Sequence, residues 1–315
     1  MTITEGTLQG LSALTLDGGD DGIRVTFVPG AGMVACSLEH RGEELLGQRG
    51  GLEHYISDRS TMGIPLLYPW ANRLASWRFR LAGRELVLDG PPPARRPARD
   101  EAGLPIHGLL AADQGWQVEA FQPLDGGGAL RASLDYGARP DLLVGFPFPH
   151  LLRLDAVVAG PKLTVATTVV ATSDVEVPVA FGFHPYLSLP GVDRADWEIE
   201  VPVERRLLLD ERMLPTGALM AVTVPPGPLG ARTFDDGYLA PEGSEPFVVS
   251  GGGRRIALRF EGGYPYAQVY APADDDVIAF EPMTAPTNAL FEGGPELPVL
   301  APGERYEAAF SIEVS

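Results

Sequence analysis

The segment Tyr306-Glu307-Ala308-Ala309-Phe310-Ser311-Ile312-Glu313-Val314 alternates apolar side chains with charged, polar or small ones. Successive side chains of a β-strand point to opposite faces, so this period of two predicts a strand with one buried face. The same alternation occurs in residues 23–27. It also flanks the turn sequences Ala82-Gly83 and Gly160-Pro161, which predicts two β-hairpins. We therefore expect strands to dominate the fold.

Glycine and proline are unusually common, with 38 glycines and 30 prolines in 315 residues. Long helices tolerate that composition poorly, and no stretch of 12 residues keeps a helical period without a glycine or proline. The predicted fold class is all-β, a large and mostly antiparallel sandwich or barrel. No linker divides the chain, so residues 1–315 are predicted to form one domain. The proline- and arginine-rich segment 89–106 is interpreted as an exposed loop within it.

The charge and the rare residue types exclude several functions. A net charge of -18 opposes binding to nucleic acid, which needs a concentrated positive surface. Cys36 is the only cysteine, so no internal disulfide or thiolate metal cluster is expected, and Lys162 is the only lysine. The N-terminus lacks a signal-peptide pattern, and no apolar run is long enough for a membrane helix. A cytoplasmic protein without membrane or nucleic-acid partners is predicted.

Common cofactor and nucleophile motifs are missing from the sequence. It has no glycine-rich dinucleotide motif, no P-loop, no HExxH or CxxC zinc pattern and no G-x-S-x-G elbow. Nucleotide cofactors and a classical zinc site therefore have little support, and no single motif decides the function.

Two ionisable residues end apolar, strand-like runs. His184 follows Val179-Ala180-Phe181-Gly182-Phe183 and precedes a proline, and Glu281 follows Asp276-Val277-Ile278-Ala279-Phe280 and precedes another. A proline cannot donate a ladder hydrogen bond, so each strand is expected to end at a polar group. A buried glutamate needs a partner. A histidine bonded to a backbone carbonyl and an exposed strand-end glutamate are the alternatives.

Other candidates lie near aromatic residues or in turns. His107 follows the proline-rich segment, and Asn72 and Arg73 follow an aromatic run. Asp235 and Asp236, in Phe234-Asp235-Asp236-Gly237-Tyr238, are most simply interpreted as a turn. Three aromatic side chains are candidates for an apolar face against a ligand, with core packing as the alternative: Trp70, Trp116 and Phe183.

Five short motifs follow one another in a fixed order. They are Pro69-Trp70-Ala71-Asn72-Arg73 with Phe79 and Leu81, His107-Gly108 with Trp116, Phe183-His184-Pro185-Tyr186, Asp235 with Tyr238, and Phe280-Glu281-Pro282. In this order and spacing, over about residues 60 to 290, the chain resembles the aldose 1-epimerases, or galactose mutarotases. Two features differ from the family's usual pattern: Tyr68-Pro69-Trp70 replaces small residues, and Pro185 stands where serine or threonine is common.

The resemblance implies a fold, an activity and a set of roles. The fold is a large antiparallel β-supersandwich, and the activity is interconversion of the α and β anomers of a hexose without a cofactor. His184 is implied as general acid and Glu281 as general base. The residues implied to bind sugar hydroxyls are Arg73, His107, Asp235 and, beside Arg73, Asn72.

Three other functions remain open at this point. A sugar-phosphate 1-epimerase would use Arg95, Arg96 and Arg99 to hold a phosphate. A non-catalytic carbohydrate-binding protein could use the same scaffold. A glycosidase would pair Glu281 with Asp235 or Asp236. The expected partner is in every case a small sugar, bound by a monomer or a homodimer.

Overall fold

Strands make up most of the secondary structure in the computed structural model, which describes residues 2–240 and 243–315. In the first third of the chain the strands are β1 Ile3–Leu8, β2 Leu11–Asp17, β3 Ile23–Val28, β4 Val34–His40, β5 Glu43–Glu44, β6 Leu66–Leu67, β7 Arg78–Leu81, β8 Arg84–Val87, β9 Ala98–Arg99 and β10 Pro105–Ile106. In the middle of the chain they are β11 Gln117–Leu124, β12 Gly127–Asp135, β13 His150–Ala159, β14 Lys162–Ala171, β15 Val177–Pro178, β16 Gly182–Phe183, β17 Tyr186–Leu187, β18 Glu198–Glu200, β19 Arg205–Leu209 and β20 Pro215–Ala221. The remaining strands are β21 Gly227–Pro228, β22 Phe234–Leu239, β23 Phe247–Gly251, β24 Arg254–Gly262, β25 Tyr266–Ala271, β26 Ile278–Met283, β27 Val299–Leu300 and β28 Arg305–Val314.

Helices are short, as the frequent glycines and prolines predict. The α-helices are α1 Gly51–Asp58, α2 Pro140–Leu143 and α3 Ala289–Glu292, and single 3-10 turns occupy Pro29–Ala31, Tyr136–Ala138 and Arg194–Asp196. None of the described helices is long and apolar enough to cross a membrane.

Two large antiparallel sheets and one smaller sheet form the architecture. The nine-stranded sheet has the order β11-β12-β13-β14-β28-β24-β23-β18-β21, and the eight-stranded sheet has the order β20-β19-β22-β25-β26-β16-β6, with β17 also paired to β26. Strands β1 to β5 form a five-stranded sheet. The alternating C-terminal segment is the central strand β28, and both predicted hairpins are present as β7–β8 and β13–β14. The predicted supersandwich is confirmed.

One cluster of buried apolar side chains joins the three sheets. It includes Val25 from the five-stranded sheet, Phe310 from the nine-stranded sheet and Phe280 from the eight-stranded sheet. Burial of this continuous cluster is the main force that holds the sheets together. That residues 1–315 form one domain stays a prediction.

The three aromatic residues suggested as a ligand-facing surface lie in this core. Trp70, Trp116 and Phe183 are exposed by only 1%, 7% and 2%, respectively. All three belong to the main cluster of buried apolar side chains. This packing favours the alternative of core residues over an apolar face against a ligand.

The segment 89–106 is less exposed to solvent than predicted. Its strands β9 and β10 pair with each other, and Pro97 and Pro105 are buried. The Arg95 guanidinium donates hydrogen bonds to the carbonyl oxygens of Leu109 and Ala111, at 3.1 and 2.8 Å. These bonds fix the segment against the chain that follows it, so the interpretation as a simple exposed loop was wrong in part.

Candidate active site

The site lies on one face of the eight-stranded sheet. Gln268 on β25 is directly opposite Glu281 on β26, and Tyr270, two residues further along β25, is opposite Asp235 on β22. Residues directly opposite, or two apart on one strand, share a face. Strand alternation alone therefore brings Asp235, Gln268, Tyr270 and Glu281 to the same surface, although up to 46 positions separate them in the chain.

The two adjacent aspartates do not lie in a turn. Both belong to β22, which pairs over its full length with β25. Neighbouring strand residues face opposite ways, so Asp236 forms an ion pair with Arg206 at 3.3 Å, while the Asp235 carboxylate accepts a hydrogen bond from Gln268 at 2.7 Å. The turn interpretation was wrong because pairing with β25 outweighs the local turn preference of Asp-Asp-Gly. Asp235, and not Asp236, faces the site.

His184 and Glu281 meet directly. Nε2 of His184 lies 3.2 Å from Oε1 of Glu281, and both side chains are almost fully buried. The backbone brings them together because β16 pairs with β26. The two strands are so close that a Cβ added to Gly182 would lie 2.5 Å from the carbonyl oxygen of Pro282. A glycine is required for this close approach. The alternative of an exposed Glu281 is thereby excluded.

Burial changes the protonation of both groups in opposite directions. Burial raises the pKa of Glu281 well above its usual value, with a further increase from Asp235 and an opposing effect of Arg73. Burial also lowers the pKa of His184 well below its usual value, with smaller contributions in the same direction from His107 and Arg49. A raised pKa makes the Glu281 carboxylate a stronger base, and a lowered pKa makes protonated His184 a stronger acid.

Arg73 is fixed by three acceptors. Its Nε donates to Asp100 at 2.8 Å, its Nη1 donates to the side-chain oxygen of Asn72 at 3.0 Å, and its Nη2 lies 3.6 Å from a carboxylate oxygen of Asp235. The side chain is 17% exposed. A guanidinium held in this way has a fixed direction and is suited to bind hydroxyl groups. The alternative of a free surface arginine does not hold.

His107 adds a second imidazole beside His184. The two rings pack edge to face, with centroids 5.7 Å apart. Burial, and then the charges of Arg73 and Arg49, lower the pKa of His107 to about 3, so its ring is neutral at physiological pH.

The chain around His107 has an unusual backbone. Both Asn72 and His107 have left-handed φ values, 57° and 61°, and the His107 amide donates to the Asn72 carbonyl at 3.0 Å. Left-handed φ values away from glycine are costly and concentrate at functional sites. Gly108, with a φ of 73°, lies so close to Tyr68 that a Cβ there would meet its carbonyl oxygen.

Three buried polar atoms of this cluster have no hydrogen-bond partner among residues 2–240 and 243–315. They are Nδ1 of His107, Nδ1 of His184 and Oε2 of Glu281. Such atoms also occur singly elsewhere, as at Tyr55 and Trp70, but here three belong to adjacent ionisable side chains. Buried polar groups without partners cost free energy unless a ligand or water bonds to them. The arrangement suits a ligand rich in hydroxyl groups.

Several residues of the site escaped the sequence argument. They are Arg49, Asp100, Gln268 and Tyr270, and Tyr186 was noted only as part of a motif. Gln268 carried a weak signal, because it is a polar residue inside an otherwise apolar strand. Arg49 and Asp100 come from loops, and nothing in their local sequence points to the site.

The Tyr186 ring stacks on the His184 ring, with centroids 3.9 Å apart and planes 15° from parallel. Arg49 donates a hydrogen bond to the Tyr186 hydroxyl at 2.9 Å, and Tyr270 packs its edge against His184 at 5.5 Å. The His184 imidazole is thus bounded by aromatic rings. In the part of the chain that is described, no three His, Cys, Asp or Glu side chains are grouped closely enough to hold a metal ion.

Comparison with known proteins identifies the family of this chain. The aldose 1-epimerase family model matches residues 13–313. A protein of Escherichia coli K12, described as uncharacterized protein YihR, is 24% identical over 259 residues, which cover 78% of this chain and 77% of that protein.

Solved structures share the fold. A galactose mutarotase-like protein from Clostridium acetobutylicum superposes with a TM-score of 0.84 at 17% identity, covering 99% of this chain and 98% of the other. Galactose 1-epimerase from Lactobacillus acidophilus superposes with a TM-score of 0.73 at 16% identity, again covering 99% and 98%. At such identities the likeness establishes the fold alone, but the family model covers nearly the whole sequence. The chain therefore belongs to the aldose 1-epimerase family.

Proposed function

We propose that this protein interconverts the α and β anomers of a hexose by acid–base opening and closing of the sugar ring. The observation that carries the proposal is the contact between His184 and Glu281, 3.2 Å apart and buried beside partnerless polar atoms. Membership of the family supports an isomerase, and the geometry supports this particular reaction.

Ring opening requires two proton transfers at different oxygens of one sugar. Glu281 accepts the proton of the C1 hydroxyl while protonated His184 donates a proton to the ring oxygen and becomes neutral, and the bond between C1 and that oxygen breaks. The open aldehyde rotates about C1–C2. The ring oxygen then attacks the other face of C1, its proton returns to His184, and Glu281 returns a proton to the new C1 oxygen. Burial favours both transfers, because it strengthens Glu281 as a base and protonated His184 as an acid.

The remaining residues hold the sugar in place. Arg73 and the neutral His107 are proposed to bind hydroxyl groups, with Asp235 and Asn72 fixing Arg73 and offering further acceptors. Correct orientation contributes to the rate because the acid and the base must reach their two oxygens together. Gln268 holds Asp235, and Asp100 holds Arg73 from outside the cluster.

The sugar-phosphate alternative gains no support from the arginines that suggested it. Arg95 donates to backbone carbonyls, Arg96 donates to the Gly90 carbonyl at 3.0 Å, and the Arg99 guanidinium lies 4.2 Å from the ring centroid of Trp77. These contacts keep the three side chains from converging on a phosphate. Comparing turnover of glucose with that of glucose 6-phosphate tests this, and we expect the neutral sugar to be preferred.

The glycosidase alternative is also less favoured. Asp236 is directed to Arg206 on the other face of β22, and Asp235 already accepts from Gln268. Neither aspartate is therefore free to act as the second carboxyl group that a glycosidase needs beside Glu281. We expect no product from a nitrophenyl glycoside.

Exchange NMR on a panel of aldoses, which follows α and β anomer signals at equilibrium, tests the proposal. The wild-type protein should accelerate exchange of at least one hexose, and Glu281→Gln should reduce kcat by about 10²- to 10⁴-fold. Glu261→Gln is the matched control, because that carboxylate bonds Ser311 and Lys162 on the nine-stranded sheet. A non-catalytic binding protein would bind sugar yet leave exchange at its spontaneous rate.

A further inference from the structure

Arg49 and Tyr186 lie beside the proposed acid, His184. We propose that they form a positioning pair, which holds the His184 imidazole in its proton-transfer orientation and sets the pH limit of turnover that follows the ionisation of His184. This inference rests on the proposed function of His184 and adds to it two residues that act through that histidine.

Tyr186 is held at both ends. Its backbone pairs with Ala279 of β26, two residues from Glu281. Its hydroxyl accepts the hydrogen bond from Arg49 and also shares one with Thr61 at 2.6 Å. Because its ring stacks on His184, a tyrosine fixed in this way fixes the histidine as well.

Arg49 is itself anchored from outside the site. Its Nε lies 3.2 Å from a carboxylate oxygen of Asp275, and its guanidinium carbon lies 4.9 Å from the centre of the Tyr186 ring. Its side chain remains 31% exposed. Asp275 contacts Arg49, Arg49 contacts Tyr186, and the Tyr186 ring contacts the face of the His184 ring.

The His184 ring has little freedom to turn. Tyr186 covers one face, and the edges of His107 and Tyr270 meet the ring at centroid distances of 5.7 and 5.5 Å. This packing keeps Nε2 towards Glu281. A ring rotated away would offer its proton in the wrong direction, and small misplacements of an acid cost large factors in rate.

The same pair opposes a positive charge on His184. The charged or titratable groups around that ring are Glu281 on β26, Tyr270 on β25, Tyr186 on β17, His107 after β10 and Arg49 before α1, with Arg73 and Asp235 next to Glu281. A protonated imidazole would place a second cation on the Tyr186 ring that Arg49 already contacts. Arg49 contributes to the lowered pKa of both His184 and His107. Loss of Arg49 should let His184 take up a proton at higher pH.

The experiment compares Arg49→Gln, Arg49→Lys and Tyr186→Phe by exchange NMR as a function of pH. Arg49→Gln should lower kcat roughly 10- to 100-fold with little change in KM. It should also move the limb of the kcat profile that follows His184 ionisation up by about one pH unit. Arg49→Lys should restore the position of that limb and part of the rate. Tyr186→Phe should lower kcat, because the stacked ring loses its tether.

Two control variants remove an arginine guanidinium and a tyrosine hydroxyl that lie outside the candidate site. Arg24→Gln deletes an arginine of the five-stranded sheet that pairs with Asp17 and Glu39. Tyr306→Phe deletes a hydroxyl that donates to the Gly263 carbonyl at 2.7 Å. Both control variants should keep the wild-type kcat and its wild-type dependence on pH. An Arg49→Gln protein with the wild-type kcat and the wild-type pH profile would overturn the inference.

A second readout separates this inference from the proposed function. A pH titration of the His184 ring by nitrogen NMR, without any sugar, should show the same upward shift in Arg49→Gln. If the wild-type protein exchanges no aldose but the shift is present, the proposed function fails while the influence of Arg49 on His184 stands. An unshifted His184 titration overturns the inference whatever the activity.

Discussion

Two buried histidines of this protein have similar surroundings and different bonding. His150 on β13 stacks on Tyr136 with ring centroids 4.4 Å apart, much as His184 stacks on Tyr186. Burial lowers the pKa of His150 to about 4 and lowers that of His184 as well. Burial, stacking and pKa therefore do not separate a structural histidine from a functional one.

The hydrogen bonds do separate them. Both ring nitrogens of His150 have protein partners, the Tyr68 hydroxyl at 2.5 Å and the Phe148 carbonyl at 2.6 Å. His184 has Glu281 on one nitrogen and no protein partner on the other among the described residues. A core histidine is satisfied by the fold, whereas the candidate acid keeps bonding capacity for a substrate.

The largest expected effect comes from removing the unsatisfied histidine. His184→Gln should lower kcat by about 10²- to 10⁴-fold, because the ring oxygen loses its acid. Its melting temperature should stay close to that of the wild type, since the fold does not use all of its bonds. Exchange NMR and thermal unfolding measure the two quantities. Full activity in this variant would show that the contrast with His150 has no catalytic meaning.

A smaller effect is expected at the arginine that orients the sugar. Arg73→Lys keeps the charge but loses the fixed fork that contacts Asp100 and Asn72. KM should rise about 10- to 100-fold, the range for one or two lost hydrogen bonds to a charged group. Steady-state exchange rates at increasing sugar concentration measure it. Arg78→Lys, at an exposed ion pair with Asp89, is the control and should leave KM unchanged.

The satisfied histidine should show the opposite pattern. His150→Gln leaves the Tyr68 hydroxyl or the Phe148 carbonyl without its partner, so the free energy of unfolding should fall by about 1–3 kcal/mol. Turnover per folded molecule should remain near that of the wild type. Urea unfolding gives the stability, and exchange NMR on the folded fraction gives the rate. A stable but inactive variant would place His150 in the chemistry.

The smallest predicted effect depends on pH. Because the folded-state pKa of Glu281 is raised, the native protein loses stability as pH increases above the unfolded value of about 4.3. Glu281→Gln removes that loss. The variant should equal the wild type near pH 4 and exceed it by about 1–3 kcal/mol at pH 8.

Glu261→Gln provides the comparison of opposite sign. Burial alone would raise the pKa of Glu261, but hydrogen bonds from Ser311 and Lys162 outweigh it and lower the pKa. This carboxylate therefore adds stability that is fully present above the unfolded value of about 4.3 and is lost as pH falls through the lowered folded pKa, so its loss should destabilise the protein at pH 8. Urea unfolding near pH 4 and at pH 8 measures the free energy of unfolding of both variants. Equal effects of the two substitutions would contradict the assignment of Glu281 as a destabilising buried acid.

The sequence predicted those parts of the molecule that depend on local patterns. The period of two in residues 306–314 identified a central strand, and the run before His184 ends at Phe183, as the following proline predicted. The same prediction was wrong for Glu281, because β26 continues through Pro282 to Met283 and pairs there with β25. The meeting of His184 and Glu281 depends on pairing between β16 and β26, which the family resemblance implied and local pattern alone does not.

The parts that were missed depend on contacts between distant loops. Asp100 reaches Arg73 from a segment interpreted as an exposed loop, and Arg49 reaches Tyr186 across 137 positions of the chain. The interpretation of Asp235 as a turn residue was wrong because pairing between β22 and β25 overrides the local turn preference of the sequence. Packing between elements, which no local pattern encodes, decides such contacts.

The central claim is that the partnerless atoms around His184 bind a sugar. Nitrogen NMR of histidine-labelled protein, titrated with the hexose that it exchanges fastest, tests this most directly. The ring nitrogens of His184 and His107 should shift as the sugar saturates the protein, while those of His150 should remain unchanged. Saturation that moves none of the His184 and His107 signals, or moves His150 instead, would contradict the account.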